Sequence, residues 1–104
     1  MRYVIRTEAD RDLDEIAGYL LEHAGLEMSL RFFTQTDKTF SLLANQPGMG
    51  WQCKLELPDL KRVRVFPVGS PSEKYLVFYQ RTVKRIEIIR VLHGSQAMKE
   101  RFLS

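Results

Sequence analysis

Hydrophobic residues change their spacing halfway along this chain, and that change limits what it can fold into. In the first half, Ala9, Leu13, Ile16, Ala17, Leu20, Leu21 and Ala24 recur at intervals of three and four, and Leu30, Phe33, Phe40, Leu43 and Ala44 form a second such series. That period belongs to amphipathic helices. In the second half, residues 63–66, 75–79 and 86–92 are short runs of β-branched and aromatic side chains, the composition of strands. Helices followed by strands predict an α+β fold, an N-terminal helical hairpin packed on an antiparallel sheet.

Local signals place the boundaries. Tyr3, Val4 and Ile5 form a short opening strand. Thr7, Glu8, Ala9 and Asp10 resemble a capping box, with the Thr7 hydroxyl expected to accept from a free amide of the first turn. The first helix is predicted over 8–24, with Asp10, Asp12, Asp14, Glu15 and Glu22 largely on its outer face. Gly25 ends it, because glycine takes the left-handed conformation of a helix stop, and His23 sits in the last turn. A second helix is predicted over 27–45, with Arg31, Gln35, Lys38 and Ser41 turned outward, until Pro47, Gly48 and Gly50 break it.

The segments 69–73 and 81–84 are short enough to be hairpin connections, which makes the three later strands antiparallel. The last is apolar at most central positions and belongs inside the sheet. After His93, Gly94 and Ser95, residues 96–103 suit either a short terminal helix or a tail.

The 104 residues, 44% of them hydrophobic, suffice for one core, so a single domain over 1–104 is expected. No run approaches the ~18 apolar residues of a membrane span and no secretory signal opens the chain, so the expected setting is the cytoplasm, away from membranes. Cys53 is the only cysteine and cannot form an internal disulfide; an inert thiol is expected. One Cys and two His do not make a tetrahedral metal site, and no phosphate loop, dinucleotide fingerprint or nucleophile elbow occurs. Neither metal nor cofactor is expected.

Charge divides the chain as sharply as hydrophobic period does. Residues 1–52 hold five Lys/Arg against eight Asp/Glu, a net of −3, whereas residues 53–104 hold eleven against five, a net of +6. A basic half favours an acidic partner. Arg62, Arg64, Arg81, Arg90 and His93 fall on or beside the predicted strands. Alternation puts Arg62 and Arg64 on one face, opposite Val63 and Val65, which are expected to pack under the helices. Such a face matches phosphate or carboxylate through bidentate guanidinium contacts, or is simply a solvated surface. His93 suits either general acid–base work or a strand-capping hydrogen bond. Tyr79 is expected to be a packing residue with a wet hydroxyl.

Four segments, in this order, resemble the ParE/RelE superfamily of bacterial type II toxin–antitoxin toxins. They are the opening strand with residues 7–16; residues 40–50, where Leu43, Ala44, Pro47 and Gly50 fit the family's Leu-Ala-x-x-Pro-x-x-Gly; residues 75–79; and residues 88–94. The closing Arg90, Val91, Leu92, His93 and Gly94 resemble the ParE branch most. That resemblance implies a toxin neutralised by a cognate antitoxin, whose segment is expected to meet Leu13, Leu20, Phe33, Phe40, Arg64 and Tyr79. It also implies DNA gyrase as the target, inhibited by binding, with Arg62, Arg64, Arg81, Arg90 and His93 as target-facing residues and none catalytic. The RelE branch implies instead an mRNA endonuclease acting on the ribosome, for which Arg64, Arg81, Arg90 and His93 are the candidate catalytic residues. A degenerate member that binds antitoxin without toxicity is the third reading. The chain departs from the nuclease pattern in having Lys99 and Arg101 but no Tyr near its end, and its Pro71 loop is longer than the family's tight turn.

Overall fold

The computed structural model describes residues 2–53 and 62–100. The elements run β1 (Arg2–Ile5), α1 (Thr7–Ala24), α2 (Leu26–Asn45), β2 (Trp51–Gln52), β3 (Arg64–Pro67), β4 (Tyr75–Arg81), β5 (Arg85–His93) and α3 (Gly94–Lys99). The sheet order is β1-β5-β4-β3-β2, which puts β5 in the interior as its apolar run requires. Strands β2 to β5 pair antiparallel, while β1 joins the open side of β5 in parallel. The short β2 is not among the strands expected from the sequence.

The helices form where the spacing places them. Gly25, at φ 97°, makes the left-handed turn between them and donates its N–H to the Leu20 carbonyl. Thr7 does not cap α1. Arg6 occupies that position with no side-chain cap, because β1 runs into the helix through this one residue, whose N–H donates to the Ile88 carbonyl. Ser29 Oγ donates to the Ala17 carbonyl at 2.9 Å and pins the two helices together.

The buried face of α2 is rotated from the predicted stripe. Phe32 is fully buried while Leu30 and Phe33 are 56% and 41% exposed. Ser29, Thr36 and Thr39 complete the inner face with Phe40, Leu43 and Ala44. Three hydroxyl residues disguise this stripe in the sequence, and burial suits them because each hydroxyl donates to a backbone carbonyl. In α1, Leu21 and Ala24 likewise lie exposed.

Each face of the sheet carries its own core. Against the hairpin lie Leu13, Phe32, Phe40, Val77, Tyr79, Ile86, Ile88 and Val91. On the opposite face Val63, Val65, Phe78, Ile89 and Leu92 pack with Ala97 of α3. Val63 and Val65 are therefore not under the hairpin. Alternation correctly separates them from Arg62 and Arg64, but the face it gives them is the one that α3 covers.

Asp12, expected on the outer face of α1, is 6% exposed and contacts β5. Its Oδ2 accepts from the Val91 N–H at 3.0 Å and from Arg90 Nε at 2.7 Å, and its Oδ1 accepts from Arg90 Nη2 at 3.0 Å. Pairing of β1 with β5 ends at Ile5↔Ile88, so the carboxylate takes the place of a strand at the edge just beyond. These hydrogen bonds hold the Arg90 guanidinium above its ordinary pKa.

Two stability measurements test this packing. Phe32→Ala is expected to cost about 3–5 kcal/mol in urea unfolding and Phe33→Ala less than about 1 kcal/mol; similar losses would contradict the rotated stripe. Asp12→Ala should cost about 3 kcal/mol, since it removes the carboxylate shared by a partly buried guanidinium and an edge N–H, with Asp12→Asn milder because its carbonyl still accepts from Val91.

Candidate functional site

The break after α2 builds one wall of a cleft. Beyond Asn45 the chain turns, with the Met49 N–H donating to the Gln46 carbonyl at 3.1 Å. Tyr79, fully buried at its ring, reaches this turn from β4. Its hydroxyl donates to the Pro47 carbonyl at 2.8 Å and accepts from the Gly50 N–H at 3.0 Å. Burial raises the Tyr79 pKa, against the opposing influence of the Gly50 N–H and the Arg64 charge. Arg64 Nη1 in turn donates to the Gly50 carbonyl. Gly50 has no room for a side chain, because a Cβ there would stand 2.7 Å from both Tyr79 Oη and the Val65 carbonyl.

From this clamp the chain enters β2, where Gln52 pairs with Arg64 and Trp51 with Val65. The result is a cleft of about 550 Å³. Pro47, Gly48, Gln52 and Cys53 line one side, and Arg62, Arg64 and Arg81 bring three guanidinium groups to it. None of its described lining residues is acidic. Arg62 and Arg81 are exposed and Arg64 is half-buried.

Three of the five expected target-facing residues thus converge, and two do not. Arg90 is engaged by Asp12 and lies 3.6 Å from Glu100. His93 caps α3, its Nδ1 accepting from the Ser95 N–H at 3.1 Å while its ring meets Tyr75 edge-on at 5.5 Å. His93 pairs with Tyr75 and Arg81 with Ile86 at opposite ends of the β4–β5 ladder, a separation of about 20 Å. His93 instead borders a second hollow of about 580 Å³ with Ile16, Tyr19, Leu20 and Met28. The four candidates for RNA cleavage, Arg64, Arg81, Arg90 and His93, form no common site.

The residues expected to meet an antitoxin divide by burial. Leu13, Phe40 and Tyr79 are 5%, 2% and 0% exposed and belong to the core, which corrects their assignment to a docking surface. Leu20 is half-buried, Phe33 is 41% exposed, and Arg64 reaches the cleft. The sequence reading overlooked Gln52 and the exposed Trp51. The Pro47 to Gly50 turn, so soon after a long helix, was the signal that a short edge strand followed.

A hairpin laid over a five-stranded sheet, closed by a short helix, is the architecture of a solved toxin–antitoxin protein, a chain of the chromosomal ParDE TA system from P. aeruginosa. The two share a TM-score of 0.71 at 20% identity, over 89% of this chain and 95% of that one. The family model described as "ParE toxin of type II toxin-antitoxin system, parDE" matches residues 3–98, and this chain belongs to that family. Toxin ParE1 of Caulobacter vibrioides is 34% identical over 93 residues, which cover 89% of this chain and 88% of that protein.

The clamp at Gly50 yields a direct test. Gly50→Ala should lower stability by about 1–3 kcal/mol, because backbone as well as a buried hydroxyl must move; an unchanged urea midpoint would show that the turn is not held as described.

Proposed function

We propose that this ParE-family chain inhibits DNA gyrase in the cytoplasm by binding, with Arg62, Arg64 and Arg81 facing the target, and that a cognate antitoxin neutralises it. The observation that carries this reading is the distribution of the cations. Phosphodiester cleavage needs a base, an acid and charge stabilisation around one phosphate. Here the candidate groups stand at opposite ends of a strand ladder or in an ion pair, whereas three arginines share one open cleft. That arrangement supports binding over RNA cleavage.

The antitoxin has a surface of a different kind to meet. Leu26, Leu30 and Phe33 are 63%, 56% and 41% exposed along the outer side of α2, at the spacing that receives the apolar face of an amphipathic segment. Leu20 and Tyr19 extend apolar surface onto α1. An acidic partner would be steered by the +6 half, which mainly raises the association rate. The similar P. aeruginosa chain comes from a ParDE toxin–antitoxin system, which accords with such a partner.

A supercoiling assay with purified gyrase tests the reading. The chain should block supercoiling, the antitoxin should restore it, and the double variant Arg62→Glu/Arg81→Glu should need at least about tenfold more protein for the same effect. Full supercoiling at saturating toxin would sink the proposal, as would cleavage of ribosome-bound mRNA on induction.

A further inference from the structure

We infer that the Arg62–Arg64–Arg81 cleft binds the phosphodiester backbone of a single nucleic-acid strand, with Trp51 at its edge as a stacking surface for a base. The inference rests on the cleft being the target-facing surface and adds the chemistry that it contacts.

The first support is a contrast with Arg85 and Arg90, the other described arginines of the basic half, both of which face a carboxylate. Arg85 Nη2 lies 3.3 Å from Glu87, which also takes Arg6 at 2.7 Å, and Arg90 lies 2.7 Å from Asp12. The contact with Arg6 foremost holds the Glu87 carboxyl below its ordinary pKa. In the cleft, three guanidinium groups meet with no carboxylate among the described lining residues. Gathering like charges costs free energy in the unbound chain, and a polyanion relieves it by replacing its own counterions with these side chains. Arg64 uses one of its five N–H groups to hold Gly50, so the same residue fixes the wall and reaches into the cleft.

The second support is an exposed aromatic ring on the edge strand that borders the cleft. Trp51 is 49% exposed on the edge strand β2, adjacent in sequence to Gln52 of the cleft and on the opposite face of the strand. A strand crossing this edge sets its phosphates against the arginines and a base against the indole, the combination that single-strand binders use. An acidic peptide would also satisfy the arginines through its carboxylates, but it offers Trp51 no planar partner. The nucleic acid therefore accounts for both features, and the peptide for one.

The chain contains a single tryptophan, so its intrinsic fluorescence reports directly on this edge. The full chain, without gyrase or antitoxin, is titrated with oligothymidylate of about 12 nucleotides and with the equivalent RNA, and binding is read in parallel by anisotropy of labelled strands. Saturable quenching is expected. Three neutralised phosphates give a log–log salt slope of about −2, so affinity should fall about 20-fold between about 50 and 200 mM salt. Arg62→Glu/Arg81→Glu should abolish binding without shifting the urea midpoint, since both side chains are exposed. Trp51→Ala should weaken it by about tenfold.

A preference for RNA or DNA identifies the source of the strand, and either supports the inference. No binding, a salt-independent affinity, equal affinity for polyglutamate of matched length, or undiminished binding by Trp51→Ala would each overturn it. Gyrase inhibition without oligonucleotide binding would overturn this inference and leave the proposed function standing; oligonucleotide binding without gyrase inhibition would do the reverse.

Discussion

One carboxylate joins the helical half of this protein to its sheet. The parallel strand β1 leaves β5 after Ile5, and α1 begins two residues later, so the helix passes over β5 where the sheet has just lost a neighbour. Asp12 fills that gap, accepting from the Val91 N–H as a paired strand would and binding Arg90 through both oxygens. A buried charge is tolerated only where such partners surround it. The consequence is positional. With α1 fixed over β5, α2 lies over β1, where Tyr3 donates to Asp37 at 2.9 Å and meets Phe40 edge-on at 5.5 Å. The hairpin thereby covers the β1–β5 side of the sheet, and the chain must cross by the Pro47 to Gly50 turn to reach the far edge. The basic cleft forms where that crossing meets β3 and the end of β4.

The two-sided sheet explains why the central strands show so little polar alternation. Along β4, Tyr75, Val77 and Tyr79 face the hairpin core while Leu76 and Phe78 face the smaller one. Register shifts at Phe78 and Tyr79, so that Phe78 pairs with Arg90 but Tyr79 with Ile88, and Ile89 has no paired residue opposite. An irregularity of this kind increases the local twist of a strand pair. Here it also lets Ile88 and Val91 serve the hairpin core while Ile89 and Leu92 serve the α3 side. The six-residue α3 can close this second core with one buried residue, Ala97, because β3 to β5 already supply most of its apolar surface.

Local signals made the elements legible in the sequence, and tertiary choices hid the rest. The stop at Gly25, the three later strands and the interior place of β5 follow from spacing and turn chemistry alone. Alternation showed that Arg62 and Arg64 share a side, but not which side the hairpin would cover, and so it misplaced Val63 and Val65. The inner stripe of α2 was hidden because Ser29, Thr36 and Thr39 read as surface residues, and only their helix-carbonyl bonds make them fit for burial. Asp12 was hidden among Asp10, Asp14 and Glu15, since nothing local distinguishes the acid that turns inward. Its partner Arg90 was accordingly counted with the exposed cations. The parallel pairing of β1 left no trace in either strand, because it joins residues more than eighty positions apart.

The site shows the same division between what spacing can place and what packing decides. Arg64 is registered against Tyr79, so Arg81, two residues further along β4, comes level with the start of β3 and near Arg62. His93 lies toward the other end of the sheet for the same reason, since antiparallel register sends the end of β5 to the beginning of β4. Tyr79 connects this arrangement to the core. Its ring is packed with the hairpin residues, yet its hydroxyl holds Pro47 and Gly50, and Gly50 is held again by Arg64. A wall fixed by a core side chain does not have to be ordered when a ligand arrives, which lowers the entropic cost of binding. The wall beside the three cleft arginines is thus held by the hydrophobic core, and with no carboxylate among the described lining residues their charge is available to a partner.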